Sequence, residues 1–156
     1  MSGKGSGRVS MAGLVCFKLG RRRHMFYRLR IHRGRKGERR SLSEDDYAAL
    51  VSAAHYQLHA PIVLVRDNVN THVSAAMRKF IDAHSAWLTV VRLPTYAPDL
   101  NPVEGVWAHV KNGLGNLSAH GVDHLAAVIR NRLKRIQYRP DLFPGFPRTD
   151  RPTLPR

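Results

Sequence analysis

Acidic residues are scarce in this chain. Eleven Asp and Glu stand against twenty-six Lys and Arg in 156 residues, a formal net charge of +15. That excess is more than solubility requires and points to a polyanion, above all nucleic acid. An arginine-rich composition without a dedicated partner is the bland alternative. Cysteine is nearly absent. With Cys16 alone, an intrachain disulfide and a cysteine-built zinc site are both excluded. No run approaches the roughly 18 apolar residues that cross a membrane. The opening Met1-Ser2-Gly3-Lys4-Gly5-Ser6-Gly7-Arg8 has no apolar centre of the kind a signal peptide needs. There is no internal repeat. Gly3-Lys4-Gly5-Ser6 does not satisfy the phosphate-loop pattern, and His120 and His124 lack the intervening Glu of a metalloprotease helix. The expectation is an intracellular protein without a membrane partner.

What is present suits a single α/β domain. Hydrophobic residues make up 43% of the chain, enough for one core at this length. Val9 to Lys18 and Met25 to His32 read as two antiparallel strands around a charged turn, Leu19-Gly20-Arg21-Arg22-Arg23. A helix starts near Ser43, which can cap it, and Glu44, Asp45 and Asp46 suit the helix dipole. Tyr47, Leu50, Val51, Ala54 and Leu58 give that helix its inward spacing. Ile62 to Val65 is a continuous apolar run, as in a strand buried on both faces. A second helix is expected over Ser74 to His84, with Val73, Met77, Phe80 and Ile81 inward, and a strand over Trp87 to Leu93. Asn101 and Pro102 open a third helix with a Val103/Val106/Trp107/Val110/Leu114 stripe, and a fourth runs from Val122 to Tyr138. A helix between two apolar strands implies a parallel crossover, and the opening hairpin then makes the sheet mixed. Residues 1–8 are expected to be flexible, 9–139 to form the domain, and 140–156 to be a disordered basic, proline-rich tail.

Two carboxylates stand where chemistry is done. Asp67 follows the Ile62 strand directly, and in α/β sheets sites form beyond the carboxyl ends of strands. The position equally suits a turn-forming Asp-Asn pair. Glu104 lies off the apolar stripe of its helix, where it can face a cleft. Asn101-x-x-Glu104 also has the spacing of a capping box.

Two stretches shift that balance: Val63-Leu64-Val65-Arg66-Asp67-Asn68-Val69-Asn70-Thr71-His72, and Leu93-Pro94-Thr95-Tyr96-Ala97-Pro98-Asp99-Leu100-Asn101-Pro102-Val103-Glu104-Gly105-Val106-Trp107. Together they closely resemble the DDE catalytic domain of bacterial insertion-sequence transposases related to mariner, over about Gly7 to Arg139. In that family a strand ending in Asp-Asn carries the second catalytic Asp. The Leu-Pro-x-Tyr-x-Pro-x-Leu-Asn-Pro-x-Glu-x-x-Trp pattern carries the catalytic Glu. Glu104 lies 37 positions after Asp67, which suits the family's spacing.

The resemblance implies an RNase H-like α/β fold, a mixed sheet with flanking helices, incomplete here because the first central strand is missing. It implies that Asp67 and Glu104 are catalytic and ligate two Mg²⁺ (or Mn²⁺) ions, which would activate the attacking oxygen and stabilise the leaving one. Asn68, His72 and Asn101 would support them. The reactions implied are cleavage at element ends and strand transfer into a target. The implied partner is double-stranded DNA, as transposon ends and target, in a bacterial cytoplasm and in association with the nucleoid. A homodimer or an upstream transposase fragment is a further implied partner. Arg21, Arg22, Arg23, Arg33, Arg35, Lys36, Arg39 and Arg40 cluster around the hairpin and its loop as expected DNA contacts. The family's pattern has three carboxylates. No Asp or Glu precedes Glu38, which sits in a basic loop, so the chain reads as truncated and inactive alone. A non-catalytic basic DNA-binding remnant is the alternative.

Overall fold

The structure, a computed structural model, describes residues 7–18, 20–66, 74–94, 101–114 and 120–139. The expected tail at 140–156 and residues 1–6 lie outside the described residues. The described part holds four strands and four helices in the expected order: β1 Arg8–Cys16, β2 His24–His32, α1 Glu44–Leu58, β3 Ile62–Arg66, α2 Ala75–Ala83, β4 Leu88–Arg92, α3 Pro102–Lys111 and α4 Val122–Tyr138.

β1 and β2 form an antiparallel ladder from Arg8↔His32 to Cys16↔His24. Its two faces have different occupants. Val9, Met25, Leu29 and Ile31 face α3 and α4, whose Val106, Val110, Leu125, Ile129, Leu133 and Ile136 complete the larger core. Ala12 and Phe26 face α1, where Leu50 and Ala54 meet them in a smaller core. Gly13 allows the closest approach: a Cβ there would lie 2.9 Å from the Trp107 ring. The absent side chain is what lets α3 lie against β1.

α4 runs antiparallel to β2 and is tied to it at both ends. Arg33 binds Asp123 at 2.8 Å at one end. At the other, the Gln137 side chain donates to Met25 O at 2.8 Å and Arg22 donates to Tyr138 O at 2.9 Å.

α1 starts on a full capping box: Ser43 Oγ accepts from the Asp46 N–H, and Asp46 accepts from the Ser43 N–H at 2.8 Å. It stops on His59 in the left-handed region, φ 49°. Tyr47, expected inward, is 44% exposed and instead lines a groove of about 290 Å³ along β1, with Trp107 also in its wall.

β3 and β4 pair in parallel, from Ile62↔Leu88 to Arg66↔Arg92. Two expectations need correction here. Among the described residues the strands form two separate two-stranded sheets, not one mixed sheet. And β3 is not buried on both faces, since Val63 and Val65 are 66% and 52% exposed. The physical reason is where the helices go: Ile62 packs into the α1 cluster and α2 meets β4, while α3 and α4 are taken up by the hairpin. α2 accordingly has no fully buried residue.

Candidate functional site

The carboxyl ends of β3 and β4 lie side by side, and the Leu93 N–H donates to Arg66 O at 2.8 Å just beyond the ladder. Asp67 is the next residue after β3. Asp67, Asn68 and His72 lie outside the described residues. Glu104 is described. It sits in the first turn of α3, and its side chain is exposed. Asn101 caps that helix, its side chain accepting from the Val103 N–H at 3.2 Å, and Pro102 fills the first turn without wasting a donor.

The reciprocal half of a capping box is not made. The Glu104 backbone N–H donates to Asn101 O at 3.1 Å, but its carboxylate does not reach back to the Asn101 N–H, as Asp46 does to Ser43 in α1. The Glu104 carboxylate is therefore uncommitted among the described residues. A free, exposed carboxylate of hard oxygen atoms is chemically suited to Mg²⁺ or Mn²⁺. Among the described residues, no three His, Cys, Asp or Glu side chains group closely enough to hold a metal.

Against this geometry, a family model described as DDE superfamily endonuclease matches residues 3–126. The chain belongs to that family of DDE superfamily endonucleases. No curated protein matches it. Among solved structures, the Mos1 mariner paired end complex with Mn is similar at 15% identity and a TM-score of 0.37, over 81% of this chain and 52% of that one. The DDE chain thus spans about half the length of that neighbour.

The basic residues expected to meet DNA differ in their surroundings. Three have work inside the fold. Arg33 pairs with Asp123, whose hydrogen bond and charge raise the guanidinium pKa further. Arg39 pairs with Asp46 at 3.1 Å, and Arg22 holds the carboxyl end of α4. Arg21, Arg35, Lys36 and Arg40 are exposed, and their side chains meet no partner among the described residues. Arg23 is half-buried. Glu38 accepts from the Arg33 and Arg35 N–H groups at 2.8 and 3.3 Å, contacts that hold its carboxyl below the usual range. It organises the loop.

Sequence reasoning placed Asp46 only as one of three acids suited to the helix dipole. Asp46 is 7% exposed and gathers Arg28 and Arg30 from β2, each at 3.6 Å, with Arg39. Its capping role was readable from the Ser43-x-x-Asp46 spacing. The arginines it collects were not, because they depend on which face β2 turns to α1.

Proposed function

We propose that this DDE-family chain supplies the second and third carboxylates, Asp67 and Glu104, of a transposase catalytic site that cleaves insertion-sequence ends and joins them to target DNA. The observation that carries the reading is the uncommitted Glu104 carboxylate. It stands on α3, the helix that follows β4 in sequence, and β4 pairs with β3, the strand that Asp67 follows in sequence. Chain direction supports convergence: Asp67 follows β3 in sequence, the segment leading to Glu104 follows β4, and the carboxyl ends of these two strands lie side by side. When bound, two Mg²⁺ or Mn²⁺ ions supply Lewis-acid activation of the attacking and leaving oxygens. Asp67 and Glu104 would hold them, with Asn68, His72 and Asn101 ordering the two loops. The net charge of +15 suits duplex DNA as substrate.

The same reading makes the fold an RNase H-like domain in which one more strand joins the two sheets. Two features support it. β1 and β3 each lack a strand neighbour on one edge among the described residues. The groove along β1 has Tyr47 and Trp107 in its walls, apolar cover for an added strand. That strand would carry the first carboxylate, without which this chain would not cleave DNA. The test is complementation. Joining or mixing in a β-strand that ends in Asp yields Mg²⁺-dependent cleavage of element-end DNA, abolished by Glu104→Ala. Robust cleavage by the chain alone, sensitive to Glu104→Ala, would show that the first carboxylate lies elsewhere in it. A chain that binds DNA but never cleaves, however completed, is the non-catalytic remnant.

A further inference from the structure

We infer that the outer face of α4, continued by the β1–β2 turn, is a phosphate-tracking surface for duplex DNA, separate from the basic loop at 33–40. The inference rests on the DNA-handling function proposed above and extends it to a surface that neither the family match nor the catalytic residues assign. At 100° per residue, the face of α4 turned away from the core spans about 140° and carries Arg130, Lys134, Arg135, Asn131 and Tyr138, all exposed. Three are cations, and the other two can donate to phosphate oxygens. Arg132 is not part of this face: it turns toward α3 and donates to Val110 O and Asn112 O.

Two contacts make the face a continuous positive strip. The only carboxylate on α4 is Asp123, and Arg33 neutralises it at 2.8 Å. At the other end, Arg22 donates to Tyr138 O at 2.9 Å, which offsets the negative pole of the helix and fixes the turn, with exposed Lys18 and Arg21, beside the last helical turn. The 17-residue helix extends about 25 Å, long enough to follow several phosphates. Its inner face, with Leu125, Ile129, Leu133 and Ile136 buried, anchors it rigidly. The outer cations make no ion pair with any described residue. A basic face used only for solubility would be expected to intersperse acids at i,i+4; the one acid on this face, Asp123, is paired with Arg33.

The experiment measures binding of the full chain to a labelled duplex across a salt series. The wild-type chain is compared with Arg130→Ala/Lys134→Ala and with a control that removes equal charge from α2, Arg78→Ala/Lys79→Ala. Circular dichroism verifies the fold of each. Two lost phosphate contacts should flatten the slope of log affinity against log salt by about 1.8. The α2 control should keep the wild-type slope, and so should the charge-preserving Arg130→Lys/Lys134→Arg chain. A wild-type chain that fails to bind duplex at low salt overturns the DNA-handling function itself. A wild-type chain that binds, with an unchanged slope in the α4 variant, overturns the α4 surface alone. So does equal loss in the α2 control, which would mean diffuse charge, or loss in the charge-preserving variant, which would mean a packing effect.

Discussion

Asp46 gathers three arginines and a helix cap around one carboxylate, and its environment decides how it responds to pH. The Ser43 N–H bond, followed by the Ser43 hydroxyl and the charges of Arg30 and Arg39, holds its carboxyl below the ordinary value. A depressed folded-state pKa adds stability that is fully present above the unfolded carboxylate value of about 4. That stability is lost as pH falls below it, through the lowered folded value. Asp46→Asn should therefore lower the urea midpoint at pH 7 and have a progressively smaller effect as pH falls below about 4, and a denaturation series across that range checks this. Asp46→Ala, which orphans the Ser43 N–H and leaves Arg30 and Arg39 unpaired, is expected to cost about 1–3 kcal/mol at neutral pH. A second residue-scale outcome follows from Gly13, whose missing Cβ is the seat of Trp107. Gly13→Val should destabilise by about 1–3 kcal/mol through overpacking and red-shift Trp fluorescence as the indole is displaced. At this scale the sequence was legible where a local rule acts alone. Ser43, Asn101 and Pro102 are spelled out by capping chemistry, and the exposure of Glu104 by its place off the stripe. Tyr47 was misread because helical periodicity marks a face without saying whether another element covers it.

At the scale of elements, the order of the described strands and helices was readable, while bounds such as the ends of β1 and α3 fell two or three residues short of the expected ones. The burial of β3 was not readable. A continuous apolar run signals a strand sandwiched by helices, yet which sheet the helices choose depends on tertiary placement. Here α4 is committed to the hairpin by Arg33, Gln137 and Arg22, contacts whose sequence separations are too long for any local pattern to reveal. Arg132 makes an analogous long-range contact. Its guanidinium holds the last carbonyls of α3 through Val110 O and Asn112 O. Arg132→Ala should lower the melting temperature, at a cost of about 1–2 kcal/mol, while leaving far-UV helicity of the remaining chain largely intact. Arg132→Lys should recover only part of the loss, since an ammonium cannot present the same planar fork. Full recovery by Lys would mean that charge at the helix terminus, not directed hydrogen bonding, is what Arg132 contributes.

For the whole molecule, the charge excess, the family motif and the open sheet edges converge on one account. The chain belongs to the DDE superfamily endonucleases, and its basic framework has two sheets with no joining strand among the described residues. The motif was legible because catalysis restricts residue type at fixed spacing, and a single sequence therefore exposes it. The division of the sheet was not, because a strand pattern shows that a strand forms and not which neighbours it finds. Val63, Val65 and Val91 are left exposed by that division. Supplying the joining strand should raise thermal stability and reduce concentration-dependent aggregation, which light scattering during a thermal ramp checks. The central claim is narrower: Asp67 and Glu104 share divalent ions. A crystal structure of the chain soaked in Mn²⁺, with the ions located by anomalous scattering, tests it most directly. The account predicts manganese between the Asp67 and Glu104 carboxylates, with paired ions about 3.5–4 Å apart where both are held. Glu104 turned back onto the Asn101 N–H, facing away from Asp67 with no ion between them, would contradict it.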